Sequence, residues 1–185
     1  MSIELTLDRM SQSAAKFHLR LVVTNTESCR ILLPYPHITG LQFGDETGTN
    51  AQWYTSLLVS SSWSGLVLDP GESKAVTFSV RPESAPRPRR DEGEDYYRWC
   101  VGIRSGLYTV RYSMVTDADY FDGDSHYRLP EVQEEAQKLS AVAWTGRAQS
   151  NAITIEHAEP GAPPNGGPAE RFGNSGISGG PPSVS

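Results

Sequence analysis

Two turn-and-strand segments constrain the fold of this chain more than any other feature. Gly106 is a turn glycine that opens an alternating run as far as Tyr112. Upstream, the polar turn 68–73 precedes a second alternating run at 75–80. A period of two residues interrupted by tight turns is typical of antiparallel strands in a two-sheet sandwich. The sequence therefore predicts an all-β, antiparallel β-sandwich.

The same pattern predicts further strands along the chain. They are expected at 3–7, 15–24, 29–33, 39–43, 52–60, 97–103, 107–115 and 148–156. Pro34 ends the segment 29–33 and predicts an edge strand or a crossing between sheets, because proline cannot donate to a ladder. The polar residues 44–48 predict a hairpin turn, and the charged, proline-rich segment 81–95 predicts a solvated loop.

One helix is expected within a long connection between strands, 116–143. Its segment begins at Pro130, has acids early and Lys138 late, as the helix dipole favours. A narrow apolar stripe predicts contact with the flank of the sandwich through Val132, Ala136 and Leu139.

The 185 residues divide into one domain and a tail. Residues 1–157 carry the strand pattern and predict the sandwich. Residues 158–185 are rich in glycine and proline and poor in apolar residues, which predicts a disordered tail.

Charge and cysteine content indicate the class of partner and the cellular compartment. The formal net charge of −6 argues against nucleic-acid binding, since phosphate contact requires a basic surface. No apolar run predicts membrane insertion, and the first residues lack the features of a secretion signal. A cytoplasmic protein in which Cys29 and Cys100 are thiols is expected, while a disulfide after leaderless export stays open.

Three segments carry a family resemblance: 21–25, 68–73 and 106–110. With their spacing the chain resembles bacterial immunoglobulin-like domains, and is most similar to the intracellular proteinase-inhibitor type; related turns also occur in accessory domains of secreted hydrolases. The resemblance implies an immunoglobulin-like sandwich in which the Tyr108 hydroxyl returns to nearby backbone. Val110 occupies the position of the antibody cysteine, so the intersheet disulfide is not expected. The long connection 116–143 and the lack of a matching inhibitory loop depart from that type.

Clustered carboxylates in the long connection suggest a calcium site, because calcium prefers several carboxylate oxygens. Phe121 and Asp122 at the fifth and sixth loop positions do not fit an EF-hand. A calcium-binding loop of another kind and a solvated turn at Gly123 both stay open. The candidate ligands are Asp117, Asp119, Asp122 and Asp124. No other cofactor is expected.

The length of the connection 116–143 far exceeds that of a hairpin, which indicates that it binds a partner or shields a sheet edge. Aromatic residues there and in nearby loops fit either hypothesis. The candidate partner contacts are Tyr120, Phe121, Tyr127, Trp63 and His37.

The sequence shows no catalytic constellation. A Gly-x-Ser-x-Gly match at 176–180 lies in the predicted tail, without the strand and helix that a nucleophile requires. Trp99 and Trp144 lie in strand patterns and are expected in the core, whereas Trp63 is expected to be exposed. We therefore expect a non-catalytic protein-binding or accessory module. Alternatives are a proteinase inhibitor, a carbohydrate-binding accessory domain, a hydrolase and a component of a secreted assembly.

Overall fold

The computed structural model describes residues 1–13, 16–54, 64–83, 99–116 and 129–158. These residues form twelve β-strands, one 3-10 turn (Ile38–Gly40) and one helix, α1 (Leu129–Lys138). None of their helices has the length and hydropathy needed to cross a membrane. The predicted all-β fold with antiparallel sheets and one short helix is confirmed.

The strands are short except for four that have nine or more residues. In chain order they are β1 (Ile3–Gln12), β2 (Phe17–Asn25), β3 (Ile31–Pro34), β4 (Leu41–Gly44), β5 (Trp53–Tyr54), β6 (Gly65–Leu68), β7 (Ser73–Glu83), β8 (Cys100–Gly102), β9 (Gly106–Val115), β10 (Val142–Ala143), β11 (Arg147–Gln149) and β12 (Ile153–His157).

Three sheets surround the core. The largest has the order β1-β2-β7-β8-β5; its three long strands are antiparallel, and β8 runs parallel to the end of β7. In the second sheet β9 pairs antiparallel with β4, β11 and β12. The third sheet has the order β10-β3-β6.

Alternate side chains of the long strands fill the core, as their period predicts. The inward residues of β2, namely Phe17, Leu19, Leu21 and Val23, are fully buried. Val76, Phe78 and Val80 of β7 are buried beside them. The ring of Phe78 stacks on Tyr112 of β9, with centroids 5.6 Å apart, so the facing sheets interlock near the middle of the core.

The segment containing Pro34 does not form an edge strand. β3 lies between β6 and β10, and Ile31, Leu32 and Leu33 are all buried. Leu32 faces away from the main core and packs under Val132 of α1. An apolar run without alternation is typical of a strand that is covered on both faces.

The predicted apolar stripe of α1 is partly correct. Val132 and Ala136 are buried against the third sheet, whereas Leu139 lies beyond the helix end and is exposed. The connection 116–143 therefore contains α1, which covers the third sheet, and β10, which extends that sheet.

The other boundaries differ in detail. The predicted hairpin is reduced to a bridge between Gly44 and Asn50, because β5 pairs with β8 rather than with β4. Arg81 and the two residues after it continue β7 instead of opening a loop. The predicted last strand is divided into β11 and β12, since Ser150 turns its hydroxyl to accept the Tyr112 backbone N–H. The predicted tail, apart from Ala158, lies outside the described residues.

Tyr108 makes the backbone contact that the resemblance implies. Its hydroxyl accepts a hydrogen bond from the N–H of Arg104, at 3.1 Å. Val110, which the resemblance aligns with the antibody cysteine, is fully buried. Cys29 is exposed, Cys100 is half-buried, and the two are not joined in a disulfide.

Candidate functional site

His37 is the one predicted partner contact that the structure describes. The predicted contacts Trp63, Tyr120, Phe121 and Tyr127 lie outside the described residues, as do the predicted calcium ligands Asp117, Asp119, Asp122 and Asp124. Within the described ranges, no three histidine, cysteine, aspartate or glutamate side chains cluster in a way that could hold a metal ion.

His37 is held in place by its local turn. It is the N-cap of the 3-10 turn that leads into β4, and its Nδ1 lies 2.8 Å from the Oγ1 of Thr39. This contact fixes the imidazole against the backbone. The ring stays exposed on one side, so it is available at the surface.

The other side of the imidazole meets Trp99. The two ring centroids are 5.3 Å apart and the planes are nearly perpendicular, at 82°. Burial against its surroundings lowers the pKa of His37 below its ordinary value of 6.5. His37 is therefore largely neutral at neutral pH.

Trp99 does not lie in the core, contrary to expectation. It is half-buried and directly precedes β8, so the register of β8 with Arg81 places it beside the end of β7. Trp144, by contrast, is buried as predicted, and its indole N–H donates to the Met1 carbonyl at 3.3 Å. The open position of Trp99 leaves part of a large apolar ring accessible.

A surface groove of about 370 Å³ lies beside these rings. Its described walls come from β7, from the residue before β2, from the 3-10 turn and from the residue before β8. They are Lys16, Ile38, Ser79, Arg81 and Trp99. The groove thus combines two cations, a hydroxyl and two apolar side chains.

The pairing of β2 with β7 explains why these polar side chains meet. Phe17 pairs with Val80 and both point into the core. Lys16 and the flanking β7 residues Ser79 and Arg81 alternate with this buried pair. The ammonium of Lys16 forms no ion pair or hydrogen bond within the described residues.

A second, more open depression of about 650 Å³ lies near the end of β1. Arg9, Met10, Gln12 and Glu156 contribute to its walls. The Gln12 side-chain amide donates to the Glu156 carbonyl across it. No aromatic residue is among its described walls, and these walls are more polar than those of the groove beside Trp99.

The described part of the connection 116–143 is anchored to the fold. Thr116 exchanges backbone hydrogen bonds with Gly146 at 2.8 and 3.2 Å, and its hydroxyl donates to the Trp144 carbonyl. At the other end, α1 covers Leu32. The helical part of this connection thus covers a sheet face, whereas the two roles expected for the connection were binding of a partner and shielding of a sheet edge.

Sequence reasoning missed most of the groove. Lys16 was predicted only as part of the strand 15–24, and Arg81 was predicted to begin the loop 81–95. The available signal was the strand pattern itself, because extending the alternation of β7 past Val80 predicts an outward Arg81. The position of Trp99 depends on the parallel pairing of β8, which no local pattern reveals.

No protein-family model matches the chain, and no curated protein matches it.

Proposed function

We propose that the protein is a non-catalytic binding module that holds a partner protein in the groove beside His37 and Trp99. The observation that carries this proposal is the half-buried Trp99 ring, which contacts the His37 imidazole and lines the same groove as Lys16 and Arg81. Tryptophan and arginine are the residues that most often dominate binding energy at protein interfaces. An apolar wall with a few convergent polar groups is also typical of ligand sites.

The geometry favours the groove over the helix as the contact surface. α1 uses its apolar face, Val132 and Ala136, to cover the third sheet, and its remaining face is polar. The connection 116–143 was expected to recognise the partner. This role is proposed for its residues outside the apolar face of α1. Deletion of the whole connection would expose Leu32, which α1 covers. A deletion that tests this role must therefore retain α1.

We propose an immunoglobulin-like relationship for the sandwich, supported by the contact between Tyr108 and Arg104. A cytoplasmic location is proposed as well, supported by the two cysteines that are not joined in a disulfide. The non-catalytic role is supported by His37, whose Nδ1 caps a turn through Thr39.

Affinity capture from the native cell extract tests the binding role. The full chain and its Trp99→Ala variant serve as bait, with Leu107→Ala as a matched control, because Leu107 is an exposed apolar residue of β9. A protein retained by the wild type and by Leu107→Ala but lost with Trp99→Ala supports the proposal. Equal capture by all three baits, or ester or peptide hydrolysis that copurifies with the chain, contradicts it.

A further inference from the structure

The outer face of the largest sheet consists mostly of short side chains. This face is formed by the residues of β1, β2 and β7 that alternate with the buried core positions. On β7 all the outward residues from 73 to 79 are exposed. The short side chains include Thr6, Val22, Thr24, Ser73, Ala75 and Thr77. Covering such a face costs little side-chain entropy, because it has few of the long side chains that lose most rotamer freedom.

The strand register arranges the charged residues of the outer face in three rows. Glu4 pairs with Thr24, and Asp8 pairs with Arg20 four residues further along β1. Lys16 comes four residues before Arg20 and lines the groove on this same side of the sheet. The row of Asp8 and Arg20 therefore lies midway between the other two, about 13 Å from each along the strands.

The charges of the middle row offset each other, whereas those of the end rows do not. Asp8 and Arg20 form an ion pair of 2.9 Å within the chain. The carboxylate of Glu4, like the ammonium of Lys16, has no ion pair or hydrogen bond among the residues that the structure describes. Glu27, in the turn after β2, adds negative charge at the Glu4 end. The outer face is thus negative at one end and positive at the other.

The neighbouring charges on β7 do not reverse this polarity. At the negative end, Lys74 and Glu72 lie 3.4 Å apart and offset each other. At the positive end, Arg81 and Glu83 have opposite charges, and Arg81 already interacts within the chain. Residues 84–98, which follow β7 and lie outside the described ranges, contain four acidic and four basic residues. None of these groups changes the sign of either end.

From this arrangement we infer that the outer face packs against the outer face of a second copy of the chain. A two-fold axis that crosses the strands at the Asp8–Arg20 row reverses the strand direction of the second copy. It therefore brings Glu4 of each copy to the Lys16 end of the other, and the same attraction occurs twice, as in any isologous contact. Sheets packed face to face lie about 10 Å apart, a gap that glutamate and lysine side chains together bridge.

The size of the outer face determines how strong this contact is. Its three strands lie about 4.8 Å apart and β2 has nine residues, which gives a footprint of roughly 400 Å² per copy. Stable interfaces bury about 800 Å² per copy, so we expect a reversible dimer that forms at high protein concentration. This dimer goes beyond the proposed binding role and does not require Trp99.

Sedimentation equilibrium of the full chain at concentrations up to about 1 mM measures the association. Glu4→Lys and Lys16→Glu should each weaken it roughly tenfold or more, because each replaces two attractions with two repulsions. An equimolar mixture of these two variants should associate again, since one is positive at both ends of the outer face and the other is negative at both. The matched controls Glu131→Lys and Lys138→Glu, on the exposed side of α1, should associate like the wild type.

A steric variant tests the face without relying on charge. Ala75→Arg places a long side chain in the exposed middle of the outer face and should abolish association, while circular dichroism confirms that the variant is folded. A wild-type monomer at every concentration, or a dimer that Ala75→Arg leaves intact, overturns the inference. A mixture of Glu4→Lys with Lys16→Glu that stays monomeric overturns it as well. The binding role is judged separately, because Trp99→Ala should abolish capture of the partner and leave the dimer unchanged.

Discussion

The side chain of Asn151 pairs with the backbone of Leu7 as a neighbouring strand would. Its Oδ1 accepts from the Leu7 N–H at 2.7 Å, and its Nδ2 donates to the Leu7 carbonyl at 3.0 Å. Leu7 lies in β1, the outer strand of the largest sheet, and Asn151 lies between β11 and β12 of the facing sheet. The amide therefore joins the two sheets and occupies backbone groups at the edge of β1.

Replacement of Asn151 by alanine should destabilise the fold. Two backbone groups of Leu7 lose their partners, so the free energy of unfolding should fall by about 1–3 kcal/mol. Urea denaturation followed by circular dichroism measures this change. Gln149→Ala, two residues away on exposed β11, is the control and should be nearly neutral. Equal stability of both variants would show that the contact with Leu7 contributes nothing.

Tyr108→Phe should cost about 1 kcal/mol, because it removes the acceptor of the Arg104 N–H and keeps the ring. Thermal denaturation of the variant beside Tyr35→Phe provides the comparison, since Tyr35 is exposed. Should the two substitutions lower the melting temperature equally, the hydroxyl contact has no specific role.

The cover formed by α1 predicts a position-dependent effect along the helix. Val132→Asp places a carboxylate against Leu32 and should lower the free energy of unfolding by roughly 2–4 kcal/mol. Gln133→Asp introduces the same group on the exposed face one residue later and should change stability by less than about 0.5 kcal/mol. Chemical denaturation of both variants checks the difference, and a tolerated Val132→Asp would mean that the helix does not pack on the third sheet.

His37 predicts a loss of stability in mild acid. Burial lowers its pKa below 6.5 in the folded protein, and unfolding restores the ordinary value. Between those two values the unfolded chain binds the proton more readily, so stability falls as the pH is lowered through this interval. A nuclear magnetic resonance titration of His37 should give a pKa below 6.5 that rises in Trp99→Ala. A wild-type pKa at or above 6.5 would contradict the packing described for the ring.

Local periodicity was sufficient to predict the core strands. Phe17 to Val23 and Val76 to Val80 alternate with polar residues, and burial follows that alternation. Pro34 was misleading. Because proline cannot donate to a ladder, it suggested an edge strand, whereas the apolar run before it requires burial on both faces of the sheet. α1 covers the face that includes Leu32, and β10 pairs with the edge of β3; both lie more than ninety positions further along the chain.

The groove was less predictable for a different reason. Lys16, Ser79 and Arg81 occupy polar positions that resemble any solvated sheet face. They become a site because β2 and β7 pair there and because β8 brings Trp99 to the same place. Long-range pairing of this kind is set by the whole fold, so a search for motifs could find His37 and not its neighbours.

Site-specific photo-crosslinking tests the central claim most directly. A benzoylphenylalanine is placed at Ser79, in the groove, or at Thr109, exposed on β9, and the native extract is irradiated with each full-length protein. We predict a discrete partner adduct from position 79 that Trp99→Ala removes, and no such adduct from position 109. The same adducts from both positions, or none from position 79, would contradict binding at the groove.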